Sequence, residues 1–283
     1  MSPEIVIRRA ETVADYRACQ EAQRLAWGIT EDGYIVPVAT MVGAQHHGGL
    51  VLGAFLPDGT AVGLSFSFPG RTEGRPCLYS QLTGVVPGYQ GRKVGARLKT
   101  VQREIARSEG VPCIAWAFDP LQAGNAHFNL ENLGATVGRY IENMYGFRSD
   151  ALNRDTPTDR LIAVWETDPE RVAKRPVIET IDGLPRLIGV SHGVRFEGLP
   201  KAPIVLLEVP ADINRMRSEA PEAAENWGRA VGEGFRAAFA GGYRGVGFHR
   251  EDGRGCYVLE AGPDDSRRSG SDIHREWHVA QSG

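Results

Sequence analysis

The chain has 283 residues, 42% of them hydrophobic and 24% charged, with a formal net charge of −3. That length suggests two domains, and the composition is that of an ordinary globular protein. The charge balance gives no electrostatic case for nucleic acid or an anionic membrane, and no apolar run approaches transmembrane length. The first residues, MSPEIVIRRAE, lack the apolar core of a signal peptide. Four scattered cysteines, Cys19, Cys77, Cys113 and Cys256, form no CxxC pair. A disulfide framework and a zinc site are therefore disfavoured, no metal is expected, and a reducing cytoplasm fits best.

Residues 5–8 read as a short strand. Thr12 offers an N-cap, with Asp15 three residues on, for a helix that Gly28 ends near Trp27. A short helix over 37–44 follows, with proline in its tolerated first turn. Residues 49–56 and 61–68 are strands joined by Pro57-Asp58-Gly59, a hairpin signal, and 69–76 read as a polar, glycine-rich loop.

Residues 77–118 parse as strand, tight loop, long helix, stop and strand. Pro87-Gly88 breaks the first strand after Val85-Val86. A helix begins near Gly91, with Val94, Leu98, Val101 and Ile105 as its buried stripe and Arg97, Lys99, Arg103, Glu104 and Arg107 on its wet side. Gly110 and Pro112 end it. The stretch Gln90-Gly91-Arg92-Lys93-Val94-Gly95-Ala96 sets small residues and unpaired N–H groups at a helix start. With the helix dipole and two cations alongside, that is an anion site suited to a pyrophosphate. An ordinary tight turn gives the same text.

After a loop at 119–125 come a short helix over 126–132 and two strands, 136–145 and 160–166, around a polar loop holding Asp155, Pro157 and Asp159. Residues 167–175 form a charged linker. Beyond it, 203–210 read as an apolar strand, 219–240 as a helix burying Trp227 and Phe235, and 243–249 with 255–259 as a strand pair. The expected division is 1–168, a connecting segment 169–202, a small unit 203–262 and a polar tail 263–283.

The run Val-x-Pro-x-Tyr-Gln-Gly-Arg-x-x-Gly-x-x-Leu over residues 85–98 resembles the acyl-CoA-binding motif of the GNAT acyltransferases, matching at Gln90 and Gly95. Lys93 stands where that motif carries its first glycine, in reach of a phosphate oxygen. The resemblance covers about residues 3–167, and the order of elements agrees with it. It implies an α/β (α+β) fold with a mixed, mostly antiparallel sheet flanked by helices. It also implies an acyl-CoA co-substrate held by residues 85–86 and 90–96, and an amide near Val85 polarising the thioester carbonyl, with Leu82 to Val86 facing the cofactor.

Acyl transfer to an amine requires a proton acceptor and donors for the oxyanion. Asp119, Glu142 and His127 are the base candidates; Asp119 is also a turn former and His127 an ordinary packed histidine. The resemblance implies a thiolate-protonating tyrosine at the position held by Leu130, so Tyr140, Tyr145 or solvent must serve. Asn125 is a pantetheine ligand or a helix N-cap. Gln81, Thr83 and Trp116 are placed on the acceptor side, with Gln81 and Thr83 alternating with Tyr79 on one strand face.

Residues 116–129 (WAFDPLQAGNAHFN), with Leu133-Gly134-Ala135, Tyr140, Asn143, Tyr145-Gly146 and 158–165, resemble a two-domain GNAT group often encoded beside N-acylamino acid racemases. That implies N-succinylation of amino acids from succinyl-CoA, with Arg160 or Arg139 holding a carboxylate. A strand-start salt bridge is the plainer role for Arg160. Gln81 stands where that group carries histidine, so a different acceptor is expected. Acetyl-CoA remains the other donor, protein acetylation and an inert acyl-CoA sensor the other functions, and a homodimer the assembly left open.

Overall fold

The computed structural model describes residues 4–146, 157–172, 180–191, 193–251 and 253–262. The tail 263–283 and part of the connecting segment lie outside them, as does Asp155. The elements run β1 (Val6–Arg9), α1 (Val13–Trp27), α2 (Val38–His46), β2 (Leu50–Phe55), β3 (Ala61–Thr72), β4 (Arg75–Val85), α3 (Val94–Ser108), β5 (Cys113–Phe118), α4 (Ala123–His127), β6 (Thr136–Ile141) and β7 (Arg160–Glu166). There follow β8 (Ile188–Gly189), β9 (Arg195–Phe196), β10 (Ile204–Pro210), α5 (Ile213–Glu219), α6 (Pro221–Ala240), β11 (Tyr243–Glu251) and β12 (Arg254–Ala261). The fold is α/β, a mixed and mostly antiparallel sheet flanked by helices. No helix among the described residues is long and apolar enough to cross a membrane.

Local chemistry accounts for the boundaries. At the start of α1 the Thr12–Asp15 capping box forms, and the Arg8 guanidinium hydrogen-bonds the Asp15 carboxyl and holds it well below the usual carboxylate range. Gly28 ends the helix at φ +61°. Residues 69–76 are not a loop. β3 and β4 run on to a tight turn at Glu73 and Gly74, where φ is +48° and +74°, the positive pair that a two-residue hairpin needs. Pro69 is tolerated because β2 has already ended, so that edge of β3 needs no donor. The helix expected over 219–240 is α6, and a second short helix, α5, precedes it. Asp212 caps α5 through the Arg215 N–H (2.9 Å), and Pro221 restarts the chain as α6.

One sheet of ten strands runs β1-β2-β3-β4-β5-β7-β6-β11-β12-β10. The parallel β4–β5 ladder lasts only through Leu78–Ile114 and Tyr79–Ala115, after which the strands part. β4 also carries a bulge. Phe66 pairs with Leu82 but Ser67 with Ser80, so Gln81 is an extra residue and the in–out alternation reverses across it.

α1 and α2 cover one face of the sheet through Tyr16, Met41, Leu64 and Phe66. α3, α4 and α6 cover the other over a continuous core from Leu50 to Leu259. That core spans both halves of the sequence. β11 joins β6 where Gly245 lies beside Val137, and a Cβ at Gly245 would collide with Val137. Trp227 and Phe235 are buried there, as expected.

Candidate active site

The parting of β4 and β5 opens a cavity of about 900 Å³. Its walls are β4 from Ser80 to Val85, the end of β5 from Trp116 to Asp119, and the α1–α2 connection from Trp27 to Val36. Gly95, Lys99, Asn125, Asn129, Tyr145, Arg160 and Asn214 also line it.

Gly95 brings the start of α3 to the cavity; of the other expected cofactor residues Val85 and Asn125 line it, and Val86, Gln90 to Val94 and Ala96 do not. Lys93 is the N-cap of α3, in the left-handed region at φ +60°, and no side chain caps the helix. The N–H groups of Val94, Gly95 and Ala96 thus have no intrahelical partner. Gly95 is not a packing glycine, since a Cβ there would meet only Val85 Cγ2 at 3.7 Å. The helix starts at Val94 rather than Gly91, because Gly91 and Lys93 both take positive φ and form a turn. Gln90 folds back, its Nε2 donating to the Val85 carbonyl at 3.0 Å. Arg92 lies over the Tyr89 ring at 5.1 Å. Left-handed lysine is unfavourable by about 1 kcal/mol. Lys93→Gly should therefore raise the melting temperature by up to a few degrees; a fall would show that the Lys93 side chain holds the turn.

Of the four catalytic candidates, Asp119 and Tyr145 line the cavity and Tyr140 and Glu142 do not. Asp119 accepts from the Leu121 N–H (2.8 Å) and from Arg217 of α5 (3.0 Å), so both its oxygens are committed. Tyr145 stands at the rim, with the Arg160 guanidinium 5.5 Å from its ring centre. Tyr140 donates to Asp159 and stacks on Phe235, and burial raises its hydroxyl pKa far above the ordinary value. Glu142 pairs with Arg236 on the surface (3.0 Å). The His127 ring packs edge-on against Phe248 and its Nδ1 is buried without a partner among the described residues. Leu130 is fully buried in the core and does not line the cavity.

The substrate-side candidates Gln81, Thr83, Trp116 and Arg160 all line the cavity. Thr83 does not share a strand face with Tyr79, because the bulge at Gln81 reverses the alternation. Thr83 turns instead to the α3 face, its Oγ1 3.4 Å from that of Ser80. Asn125 lies inside α4 and is not its N-cap, which is Gln122. Arg160 donates to the Asp159 carbonyl (2.7 Å), while the Asp159 carboxylate is taken by Tyr140 and the Asn143 N–H.

Lys99 was expected on the wet side of α3. It is 4% exposed, because the buried stripe of this helix is Val94, Leu98, Gln102 and Ala106 with Lys99 between them. Its Nζ donates to Ser80 Oγ (2.9 Å) and Gln102 Oε1 (3.1 Å) and lies 4.1 Å from the Trp116 ring centre. Gln102 Nε2 reaches the hydroxyls of Ser65, Ser67 and Ser80 at 3.1 to 3.3 Å. The available signal was that Gln102, four residues apart from both Leu98 and Ala106, falls on the apolar face, opposite serines spaced by two on β3. The α1–α2 connection and Asn214 also line the cavity and carry no motif that marks them in the sequence. Among the described residues no group of three or more His, Cys, Asp or Glu could hold a metal ion.

No protein-family model and no curated protein matches the sequence. Solved structures are similar over about three fifths of it. Salmonella typhimurium yncA, solved with its cofactor acetyl-CoA, is 21% identical over 61% of this chain and 98% of its own, with a TM-score of 0.47. The ribosomal-protein-S18-alanine N-acetyltransferase of Escherichia coli is 16% identical over 62% of this chain and 100% of its own, with a TM-score of 0.45. An acetyltransferase of the GNAT family from Staphylococcus aureus Mu50 is 13% identical over 58% and 100%, with a TM-score of 0.41.

Proposed function

We propose that this chain is an acyl-CoA-dependent N-acyltransferase, moving an acetyl or succinyl group from coenzyme A to the amine of a small molecule, with amino acids as the acceptor class. The observation that carries this reading is a single cavity with an uncapped helix start at one end and a wedge between parting strands at the other. The amides of Val94, Gly95 and Ala96 suit a diphosphate, with Arg92 and Lys93 adding full charges. The wedge beyond Tyr79 and Ala115 suits an extended pantetheine arm lying along β4, where residues 82–86 offer backbone partners. Arg160 and Tyr145 at the rim suit an acceptor or acyl carboxylate. The chemistry belongs to residues 1–168, and residues 203–262 buttress them.

Calorimetry with acetyl-CoA and with succinyl-CoA, followed by thiol release against a panel of D- and L-amino acids, tests this. The sharper variant is Gly95→Leu. It puts a side chain over the helix start without crowding the core, so thioester binding should fall by at least about 100-fold while the melting temperature holds or rises. Undiminished binding would refute the diphosphate site. Binding without thiol release for any acceptor would leave an acyl-CoA sensor.

A further inference from the structure

The structure buries a lysine amine at the wall of the cavity, and among the described residues no acid pairs it. Lys99 Nζ lies against Ser80 of β4, Gln102 of its own helix and the Trp116 face of β5, and a hydroxyl network carries on from these, Gln102 to Ser67 of β3, Ser80 to Thr83, and Thr83 to Ser65 at 3.1 Å. Of the charged groups on the elements around it, Arg75 pairs with Glu166, Arg103 lies over Trp165 and Asp119 pairs with Arg217. Besides Lys99, the charged lining residues are Glu31, Asp119 and Arg160.

From this geometry, and on the transferase reading above, we propose that Lys99 accepts the proton of the attacking amine through the hydroxyls of Thr83 and Ser80. Thr83 Oγ1 stands 3.4 Å from Ser80 Oγ, which stands 2.9 Å from Lys99 Nζ, and all three residues line the cavity. The bulge at Gln81 makes the relay, because only the reversed alternation points Ser80 and Thr83 to the same side.

Burial lowers the Lys99 ammonium from 10.5 to about 7, so near neutral pH a substantial share of it is an unprotonated base. The Trp116 ring opposes that shift by favouring the cation.

The step balances as follows. The acceptor ammonium loses one proton to Thr83, whose own proton passes by Ser80 to the neutral Lys99 amine. The freed nitrogen pair attacks the thioester carbonyl, the C–N bond forms and the π pair moves to oxygen. On collapse the oxygen pair re-forms the carbonyl, the C–S bond breaks and the sulfur leaves with the C–S bonding pair. The thiolate takes the second proton from the new C–N nitrogen, giving amide and free thiol. Lys99 then returns its proton to water. Lys99 acts through two hydroxyls and is a positioning residue, not one in contact with the reacting atoms.

Three measurements decide it. Trace acetic anhydride labelling of the wild-type protein, read by peptide mass spectrometry against pH, should give Lys99 a midpoint near 7 and protection by acetyl-CoA. With acetyl-CoA and a panel of common amino acids, Lys99→Met should lower kcat by at least about 100-fold, leave acetyl-CoA affinity within threefold, and abolish the acid limb of the pH–rate profile. Thr83→Val, which keeps shape and the lysine, should also lower kcat while the labelling midpoint stays. A labelling midpoint in the ordinary lysine range overturns the proposal, as does full kcat in either variant; should Lys99→Met not fold, Thr83→Val and the labelling decide. Acetyl-CoA binding to wild type without thiol release for any acceptor overturns the transferase reading, and the proposal with it; retained turnover in the variants overturns the proposal alone.

Discussion

A chain ended after Arg175 should fail to reach a cooperative fold. Its loss would strip β11 from β6 and leave that strand an open edge beside Val137. It would also uncover Leu121, Leu130, Val137 and Leu161, which share one core with Trp227, Val231, Phe235, Phe248 and Tyr257. Each large apolar side chain returned to water costs about 1.5–3 kcal/mol, against a total stability of about 5–15 kcal/mol for a native protein.

Polar ties go as well. Arg217 leaves Asp119, Tyr257 OH no longer donates to the Pro120 carbonyl (2.7 Å), and the Phe248 N–H leaves Glu131 (2.6 Å). These bonds hold the 119–122 turn and the Phe128–Asn132 turn, and so the cavity wall. Circular dichroism should show no sigmoidal melt, and proteolysis should find no resistant core. A soluble fragment that still binds acetyl-CoA would show that residues 1–168 stand alone.

Phe235→Ala should be the most damaging single truncation in α6. Phe235 is fully buried, with Tyr257 edge-on at 5.0 Å, Phe239 at 5.4 Å and Tyr140 stacked at 6.1 Å. It therefore joins α6 to β6 and β12. Losing a buried phenylalanine costs about 3–5 kcal/mol, because the aromatic neighbours cannot close the space. For a chain of this size the melting temperature should drop by on the order of 10 °C. Acetyl-CoA affinity of the folded protein should be nearly unchanged, since Phe235 does not line the cavity. A melting temperature within 2 °C of wild type would mean that the aromatic cluster repacks at little cost.

Much of the fold could be read from local chemistry. The Thr12–Asp15 box, Gly28, the Pro57-Asp58-Gly59 hairpin and the Gly110–Pro112 stop each act within a few residues, and each placed its element. What escaped were features decided by neighbours distant in sequence. Lys99 reads as a surface lysine until the serines of β3 and β4 are set beneath it. The bulge at Gln81 exists only by comparison with the shorter path along β3. Gly245 looks like strand punctuation, yet it is where two stretches of sheet meet. For the site, the helix start and the cavity-lining strand ends were legible because turn chemistry marks them. Tyr140 and Glu142 carry the right chemistry for an acid and a base, but they meet α6 instead, through Phe235 and Arg236.

The extra residue in β4 makes parity a property of this protein. A residue lost between Ser80 and Gly84 can be absorbed by closing the bulge, with Leu82 still opposite Phe66 and Thr83 opposite Ser65. Closing the bulge with every residue kept would instead slip the register by one, point Gly84 at α3 and drive Thr83 against the Trp27 ring that now rests on Gly84. Substitutions in this stretch are local events, whereas a slip of register rewires a whole wall of the cavity.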